Sequence, residues 1–361
     1  MDLHIVGGFL GSGKTTAIIG AVKRLMAQGR RVGVVTNDQG RYLVDTAFFR
    51  SEAVPAVEVT GGCFCCNYAD LDAQLAQLRE TAAPDVIFAE SVGSCADIVA
   101  TVVKPLLQLG GAGAPRPTSF SVFADARLLR RRLLEQPMPF SEDVVYLFDK
   151  QIEEAGMLII NKRDLLTPET EAEVLALAQR RFPHATVRLQ NSLVPEEVAG
   201  WVRALDAGLA APPETSLDID YERYGAGEAE LAWLDERVVF RGVGGRSRDV
   251  IRAFISRLLA ALEQQALTIG HLKFHIRGGG TEVKLSFPTL RAGDWESELP
   301  SMKGSEVELL INARVEAQAT LLHALVDEVA DSTAQALDVI CELSDVAAFH
   351  PALPRPTHRI G

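Results

Sequence analysis

Short apolar runs alternate with segments of helical periodicity over the first 210 residues of the 361-residue chain. The runs predict buried strands, and the longer segments between several of them predict amphipathic helices. The predicted strands are 3–6, 31–37, 56–60, 85–90, 119–124, 157–161 and 185–190, and the predicted helices include 14–28, 71–81, 168–181 and 196–207. Strands that alternate with helices indicate βαβ units, so we predict an α/β fold with a mostly parallel sheet flanked by helices.

The pattern changes after residue 210. Residues 211–235 are rich in Pro, Gly and acidic residues and lack clear periodicity, which predicts a linker. Beyond it, strands cluster and helices are fewer: the predicted strands are 237–241, 271–277, 282–287 and 307–313, and the predicted helices are 248–264 and 317–329. We therefore predict one α/β domain over residues 1–210 and a smaller C-terminal α+β domain over residues 236–361.

Composition and charge indicate a globular protein and argue against nucleic acid and membranes as partners. Hydrophobic residues make up 47% of the chain and charged residues 23%, as in ordinary globular proteins. The formal charge of −12 disfavours nucleic acid and anionic membranes as partners. No run reaches the roughly 18–20 apolar residues of a membrane span, and the N-terminus has no signal-peptide pattern. The few, clustered cysteines favour a reducing compartment, so we expect a cytoplasmic protein. The sequence does not define its oligomeric state.

A phosphate-binding motif lies directly after the first predicted strand. Residues 7–16, GGFLGSGKTT, contain G-x-x-x-x-G-K-[ST] and lead into a predicted helix. Glycines allow backbone N–H groups to curl around phosphate oxygens, the lysine places a charge at the β- and γ-phosphates, and the hydroxyl can ligate Mg²⁺. The residues predicted to bind nucleotide here are Gly8, Gly11, Ser12, Gly13, Lys14, Thr15 and Thr16.

A second motif selects the base. Residues 158–164, LIINKRD, run from a buried strand into N-K-x-D. The carboxylate of Asp164 can accept hydrogen bonds from N1–H and the exocyclic amine of guanine, whereas adenine would leave it unpaired. Asn161 and Lys162 are predicted to hold the loop and cover the base. We therefore expect GTP and GDP rather than adenine nucleotides.

Three of the five cysteines lie in residues 61–66, GGCFCC. Cys63, Cys65 and Cys66 offer three thiolates from one turn, which suits Zn²⁺ and other thiophilic ions, Co²⁺ among them. Three protein ligands leave a coordination position open, as transfer of the ion requires. Three alternatives remain: packing residues, a reversible disulfide between Cys63 and Cys66, or a structural zinc completed by a distant residue. We expect Cys95 to be an ordinary buried cysteine and Cys341 to belong to the core of an apolar helical region.

Together these motifs resemble those of the P-loop GTPases that assist metalloenzyme assembly, and within them the CobW-like metallochaperone group. The resemblance rests on GGFLGSGKTT, NDQG, GCFCC, ESVG and NKRD, which occur in the family's order over about residues 1–210. The C-terminal region contributes little to it. The implied fold is that of a P-loop NTPase.

The resemblance also implies roles for acidic residues. It places Asp38 and, beyond it, Asp45 in a switch segment near the γ-phosphate, although the family usually has Glu at position 38 and often another acid where this chain has Arg41. Glu90 is implied at the Mg²⁺ ion together with Thr15, and Gly93 near the γ-phosphate. The implied catalytic residues are Lys14, Asp38 and Glu90.

The implied function is a slow GTPase whose nucleotide state controls metal binding at the CxCC turn. Its partner would be a client metalloprotein or corrinoid enzyme, recognised through residues 236–361. A second hypothesis is a G-protein chaperone that gates client binding without metal transfer. A small-molecule kinase is a third, and N-K-x-D argues against it.

Two further features of the sequence indicate function only weakly. His271 and His275 share one face of a predicted half-exposed strand, a spacing that more often reflects ordinary strand histidines than metal ligands. The basic run at residues 127–132 is typical of a solvated helix face.

Overall fold

The computed structural model describes residues 1–37, 44, 49, 54–111, 115–291 and 293–361. The chain divides into two compact units. The first comprises Met1–Gln39, Phe49–Gly227 and Leu353–Gly361, and the second comprises Gly40–Phe48 and Glu228–Ala352.

A seven-stranded parallel sheet forms the centre of the first unit. Its strands are β1 (Asp2–Gly8), β2 (Val32–Asn37), β3 (Ala56–Val59), β4 (Val86–Glu90), β5 (Arg116–Asp125), β6 (Met157–Asn161) and β7 (Thr186–Gln190). Their order is β3-β2-β4-β1-β5-β6-β7, and every neighbouring pair is parallel. The predicted fold class is confirmed. The strand order reverses at β1, and in such sheets ligands bind beyond the carboxyl ends of the strands at the reversal.

Helices flank this sheet. In the described residues they are α1 (Lys14–Ala27), α2 (Tyr68–Ala82), α3 (Lys104–Leu109), α4 (Ala126–Leu133), α5 (Glu142–Glu153), α6 (Pro168–Arg181), α7 (Pro195–Asp206) and α8 (Tyr221–Glu230). The start of α6 follows directly from its sequence. Thr167 and Thr170 form a capping box, and Pro168 occupies the first turn, where its missing N–H removes no helical hydrogen bond.

Aromatic packing fixes α7 against the sheet. Trp201 is fully buried and contacts Phe88 and Phe123, with ring centroids 5.7 and 5.1 Å away. Its indole N–H donates to Ser121 Oγ at 3.1 Å, so the polar edge of this large side chain is satisfied inside the core.

The second unit is built on a five-stranded antiparallel sheet. Its strands are β8 (Leu231–Arg241), β9 (Thr268–Gly278), β10 (Thr281–Pro288), β11 (Glu306–Glu316) and β12 (Ile340–Phe349), and its helices are α9 (Ser247–Gln264) and α10 (Ala319–Leu337). The order is β10-β9-β11-β8-β12. Apolar residues from the sheet and both helices form one core. The separate antiparallel sheet confirms the predicted smaller α+β region.

Three local predictions are wrong. Helix α8 and the first residues of β8 lie inside the predicted linker, and helix α10 extends to Leu337 instead of ending at residue 329. Cys341 lies on strand β12, which the sequence did not predict, rather than in a helical region. It is half-buried and packs against the core from there.

The last residues of the chain belong to the first unit and run alongside its loops. The Thr357 N–H donates to Cys65 O and the Ile360 N–H to Ala100 O, each at 2.9 Å. The Arg359 Nε donates to the fully buried Asp97 at 2.8 Å. No helix in the described part of the chain is long and apolar enough to cross a membrane.

Candidate nucleotide and metal site

The loop between β1 and α1 has the backbone that its glycines allow. Gly8, Gly11 and Gly13 have φ values of 127°, 68° and 93°, in a region that favours glycine. A Cβ atom at Gly8 would lie 2.1 Å from Phe123 O. A Cβ atom at Gly13 would lie 2.3 Å from Asn161 Nδ2. The loop therefore requires glycine both for its conformation and for its close approach to the neighbouring strand ends.

Lys14 and Ser12 direct polar groups into this loop. The Lys14 ammonium group donates to Gly8 O at 2.6 Å and is only 7% exposed. The Ser12 hydroxyl is buried and has no hydrogen-bond partner among the described residues. Thr16, in contrast, is exposed. A buried cation, an unsatisfied hydroxyl and a helix N-terminus together provide what an anionic phosphate requires.

The structure brings Thr15 and Glu90 together. The Thr15 hydroxyl donates to Glu90 Oε1 at 2.8 Å, and each residue is 7% exposed. Thr15 begins α1 and Glu90 ends β4, the strand next to β1, so the two predicted Mg²⁺ ligands meet at the edge where the phosphates are expected. One hydroxyl and one carboxylate are oxygen ligands of the kind Mg²⁺ prefers.

Asn161 and Lys162 hold the loop after β6 against the loop after β1. Asn161 Nδ2 donates to Ser12 O at 2.7 Å. Lys162, in a left-handed conformation with φ 62°, donates to Gly11 O at 2.6 Å and to Asp125 at 3.0 Å. Asn161 and Lys162 thus connect the two loops, and the prediction that they also cover the base stays a prediction.

Asp164 is exposed, in a short helical turn that follows Lys162. Ser192, which the sequence analysis missed, donates from both its N–H and its hydroxyl to Asn161 Oδ1, at 3.1 and 2.8 Å. Its only signal in the sequence is its position just after β7, the strand that pairs with β6.

The loop that follows Glu90 packs tightly on the loop between β1 and α1, here called the phosphate loop. A Cβ atom at Gly93 would lie 2.6 Å from Leu10 Cδ2 and 3.2 Å from Leu10 Cα. The buried Gln151 side chain donates to Gly93 O and to Cys95 O, each at 3.0 Å. Gln151 therefore links the position of Cys95 to that of Gly93.

Hydrogen bonds with Asn37, the last residue of β2, hold the turn at residues 61–66, here called the cysteine turn. Gly61, with φ 74°, turns the chain after β3, and Cys66 and Asn67 N–H groups both donate to Cys63 O. The Asn37 side chain donates to Val59 O at 3.1 Å and to Gly62 O at 2.8 Å, and it accepts the Phe64 N–H at 2.8 Å. Asn37, the first residue of the predicted switch segment, thus supports the cysteine turn. The switch positions Asp38, Arg41 and Asp45 lie outside the described residues.

The sulfur atoms of Cys63, Cys65 and Cys66 all lie within 4.8 Å of one another, and Cys95 adjoins this group without belonging to it. Cys63 Sγ lies 2.8 Å from Cys65 Sγ, which lies 3.8 Å from Cys66 Sγ. The Cys95 thiol hydrogen-bonds with both Cys63 and Cys65. Cys63, Cys65 and Cys95 are buried, and Cys66 is half-buried. Cys95 is buried as predicted, but it faces the other cysteines rather than an unrelated part of the core.

The shared hydrogen bonds separate the acidities of these thiols. Hydrogen bonds from Cys65, Cys66 and Cys95 lower the pKa of Cys63 well below its ordinary value. The hydrogen bond with Cys63 is the largest of the contributions that raise the pKa of Cys65, and the hydrogen bond with Cys63 also raises that of Cys66 to about 11. A cluster whose hydrogen bonds favour the thiolate of one cysteine has the starting state for thiolate metal binding.

The C-terminal segment lines the exposed side of the cluster. The Arg355 N–H donates to Cys66 Sγ at 3.3 Å, and the Thr357 hydroxyl donates to Cys66 O at 3.0 Å. The His358 ring packs edge-on against Tyr68, with centroids 5.0 Å apart. Nothing in the periodicity of the sequence indicated this contact.

The weaker sequence candidates lie elsewhere. His271 and His275 are buried on β9 rather than half-exposed, and His275 contacts Glu282 at 3.2 Å. Neither belongs to a group of three or more metal-ligating side chains among the described residues. In the basic run, Arg130 and Arg132 pair with Glu173 and Asp149.

The fold and the loop geometry define a P-loop nucleotide-binding domain. A family model described as CobW/HypB/UreG, nucleotide-binding domain, matches residues 2–188, more than half of the chain. The chain therefore belongs to this family, and the resemblance inferred from the motifs is confirmed.

The chain is similar in sequence to two zinc chaperones and in structure to a solved HypB protein. The zinc chaperone CobW of Pseudomonas aeruginosa is 29% identical over 222 residues, which cover 53% of this chain and 56% of the relative. The zinc chaperone YeiR of Escherichia coli is 30% identical over 178 residues, 46% of this chain and 48% of the relative. The chain thus spans about half the length of these curated relatives. The solved HypB from Helicobacter pylori in complex with nickel is similar with a TM-score of 0.42 and 16% identity, over 60% of this chain and 92% of that one.

Proposed function

We propose that the chain binds and slowly hydrolyses GTP and couples its nucleotide state to a transition metal held by the cysteine turn. The observation that carries this proposal is the loop after β4. Glu90, the last residue of β4, lies beside the Thr15 hydroxyl, and within the next five residues the loop bears Gly93, against the phosphate loop, and Cys95, beside Cys63 and Cys65. A change at the phosphates therefore reaches the metal ligands through one short loop.

The nucleotide half of the proposal follows from the loop geometry. The N–H groups of residues 8–13, with Lys14, would bind the phosphates, and Ser12 would gain the partner that its buried hydroxyl lacks. Thr15 and Glu90 would hold Mg²⁺, whose charge offsets that of the phosphates during hydrolysis. Asp38 would position the attacking water. Thr16 and Gly93 would complete the contacts with the nucleotide.

Guanine selection would rest on the loop after β6. Asn161 and Lys162 already fix this loop, which leaves the exposed carboxylate of Asp164 able to accept from N1–H and the amine of guanine. Because Asp164 is exposed, the base itself would have to cover it before the missing hydrogen bonds to adenine become unfavourable.

The metal half of the proposal uses four thiolates. Cys63, Cys65 and Cys66 come from one turn, and Cys95, which hydrogen-bonds with Cys63 and Cys65 from the loop after β4, would move in to supply the fourth sulfur. Four thiolates satisfy the tetrahedral preference of Zn²⁺, and the similarity to two zinc chaperones, CobW and YeiR, favours the same ion. The same ligands accept Co²⁺. The open position predicted for three cysteines would then exist only when Cys95 moves away.

Coupling would work through that movement. If the γ-phosphate shifts Gly93, the Gln151 hydrogen bonds to Gly93 and Cys95 carry the shift to the sulfur. Withdrawal of Cys95 leaves three thiolates and an open position for a ligand of the client metalloprotein or corrinoid enzyme. A tenfold change in metal affinity requires only about 1.4 kcal/mol of coupling. Client recognition is assigned to the C-terminal domain.

Two substitutions test the two halves separately. Lys14→Ala is expected to abolish GTP binding and leave zinc binding in place, whereas Cys65→Ala is expected to lose zinc and keep GTP. Equilibrium binding of a fluorescent GTP analogue, and zinc content after gel filtration, measure the two properties, with Cys341→Ala as the matched cysteine control. Zinc content that is unchanged in Cys65→Ala would contradict the metal half, and preference for ATP over GTP would contradict the nucleotide half.

A further inference from the structure

A carboxylate occupies a core position in the sheet of the second unit. Along β8, Ala232, Leu234, Val238 and Phe240 alternate into the apolar core, and Glu236 falls in the same row. Glu236 is fully buried, and neither of its carboxylate oxygens has a hydrogen-bond partner among the described residues. A buried carboxylate without hydrogen bonds is strongly unfavourable in its ionised form, so it either takes up a proton or is accompanied by a cation. Burial and the neighbouring Asp327 carboxylate raise the pKa of Glu236 to about 8.

Two side chains of α10 converge on this carboxylate. His323 and Asp327 are four residues apart, so they lie on one face of the helix. His323 Nδ1 lies 3.7 Å from Glu236 Oε2 and 3.3 Å from Asp327 Oδ1, and ligand atoms of all three residues lie within 4.8 Å of one another. In the described structure, His323 Nδ1 and Asp327 Oδ1 also have no hydrogen-bond partner.

From this arrangement we infer a second metal site, for a divalent transition metal such as Zn²⁺, held by Glu236, His323 and Asp327. With metal–ligand bonds of about 2.0–2.2 Å, neighbouring ligand atoms of a tetrahedral site lie about 3.3–3.6 Å apart. The two measured distances from His323 Nδ1 are close to this range. One imidazole nitrogen and two carboxylate oxygens are a harder ligand set than the four thiolates, so the two sites differ in the ions they prefer.

A simple ion pair accounts less well for the geometry. A protonated His323 carries one hydrogen on Nδ1, which Glu236 and Asp327 can share only as two weaker, bent hydrogen bonds. Such a pair would also leave the second oxygen of the buried Glu236 unsatisfied. A metal ion bonds to all three groups at once.

The site is open on one side. The side chains of His323 and Asp327 are 33% and 39% exposed, whereas Glu236 lies beneath them. An ion held by three protein ligands at this position can enter from solvent and keeps a coordination position for water or for a partner's ligand. The site therefore has the form of an exchange site rather than of a closed structural one. It requires no nucleotide, so it stands independently of the proposed function.

Cobalt titration of the full-length chain distinguishes the two sites. Thiolate ligands give Co²⁺ intense charge-transfer absorption in the near ultraviolet, whereas a site of nitrogen and oxygen ligands gives only weak visible bands. We expect two sets of sites in the unaltered chain, one with charge-transfer absorption and one without it. A single set with charge-transfer absorption overturns the inference and leaves the proposed function intact. A single set without it supports the inference and contradicts the metal half of the proposed function.

Variants of two of the three proposed ligands test whether these form the cobalt site that lacks charge-transfer absorption, here called the second set. Asp327→Asn and His323→Ala are expected to weaken it by about tenfold or more without affecting the thiolate set. Glu328→Gln, which alters the exposed acid next to Asp327 on the same helix, is the matched control and is expected to change nothing. Asp327→Asn changes a partly exposed group, so loss of the fold does not confuse the result. Unchanged affinity in both variants overturns the inference.

Discussion

The Asn37 side chain accepts the Phe64 N–H at 2.8 Å, and this contact joins the end of β2 to the cysteine turn. The same amide group donates to the carbonyl groups of Val59 and Gly62 on the approach to that turn. Asn37 is also the residue before Asp38, the predicted switch acid. A residue at the start of the switch segment thus fixes the backbone that presents the thiols.

The first prediction concerns this residue. Asn37→Ala removes three hydrogen bonds of the turn and is expected to lower the free energy of unfolding by about 1–3 kcal/mol. Zinc affinity is expected to fall as well, because the turn is no longer held in the binding conformation. Urea denaturation and competition with a zinc chelator measure the two effects. Gln77→Ala, on the exposed face of α2, is the control, and equal zinc affinity of Asn37→Ala and the unaltered chain would contradict the assigned role.

The second prediction concerns the number of sulfur ligands. X-ray absorption at the zinc edge is expected to show four sulfur atoms at about 2.3 Å in the GDP-bound protein and three in Cys95→Ser. Cys341→Ser should retain four, because Cys341 lies on β12 and does not belong to the group of Cys63, Cys65 and Cys66. Three sulfur atoms in the unaltered protein would remove Cys95 from the site and restore the three-ligand interpretation of the sequence.

The third prediction concerns the phosphate loop. Gly13→Ala places a methyl group 2.3 Å from Asn161 Nδ2 at a φ of 93°. Either the phosphate loop or the Asn161 side chain that holds it must therefore move, and the backbone at residue 13 is strained in both cases. Strain of about 1–3 kcal/mol at such a position corresponds to a loss of roughly 5- to 150-fold in GTP affinity if the strained loop must be restored on binding. Gly111→Ala, where a Cβ atom meets nothing within 4 Å, is expected to keep full affinity. Calorimetric titration with GTP compares the two.

The fourth prediction concerns stability at acidic pH. Burial lowers the pKa of His4 to about 4 from its ordinary 6.5, and His4 Nδ1 lies 2.8 Å from Ser119 Oγ. Between these two values the unfolded chain binds a proton that the folded chain does not, so stability falls as the pH falls from about 6.5 to 4. The full contribution is about 3 kcal/mol.

Other groups titrate in the same range, so the test is a difference between two proteins. His4→Gln keeps a polar group near Ser119 and cannot gain the proton. Its free energy of unfolding, measured with urea at several pH values, should depend less steeply on pH below 6.5 than that of the unaltered chain. Parallel curves for the two proteins would contradict the assignment.

The sequence predicts best where local pattern and tertiary packing agree. Strands β1, β2, β4 and β6 are short and almost entirely buried, whereas β3 and β7 at the two edges are mostly half-buried. All seven strands, β5 included, lie at or within a few residues of the predicted positions. The spacing of glycine and lysine in residues 7–16 predicts a phosphate-binding loop. In the structure, Gly8, Gly11 and Gly13 have the positive φ values that this loop requires. Local sequence pattern does not predict which loops meet at the carboxyl edge of the sheet, because that depends on the order of the strands. Cys95 follows β4 and Cys63 follows β3, and the strand order places both beside β2.

The missed elements have physical reasons of their own. Helix α8 contains Gly225 and Gly227, which lower helix propensity, but a Cβ atom at Gly227 would lie 2.4 Å from Asp143 O. Close packing therefore requires glycine where propensity argues against a helix. Strand β12 is an edge strand with a bulge between Ser344 and Ala347, which interrupts its alternation.

Metal affinity as a function of the bound nucleotide tests the central claim most directly. The full-length protein is loaded with GDP or with a non-hydrolysable GTP analogue, and its zinc affinity is measured by competition with a chelator in each state. The account predicts affinities that differ by at least about tenfold, equivalent to about 1.4 kcal/mol of coupling, and a difference that disappears in Cys95→Ser. Equal zinc affinities in the two nucleotide states would contradict it.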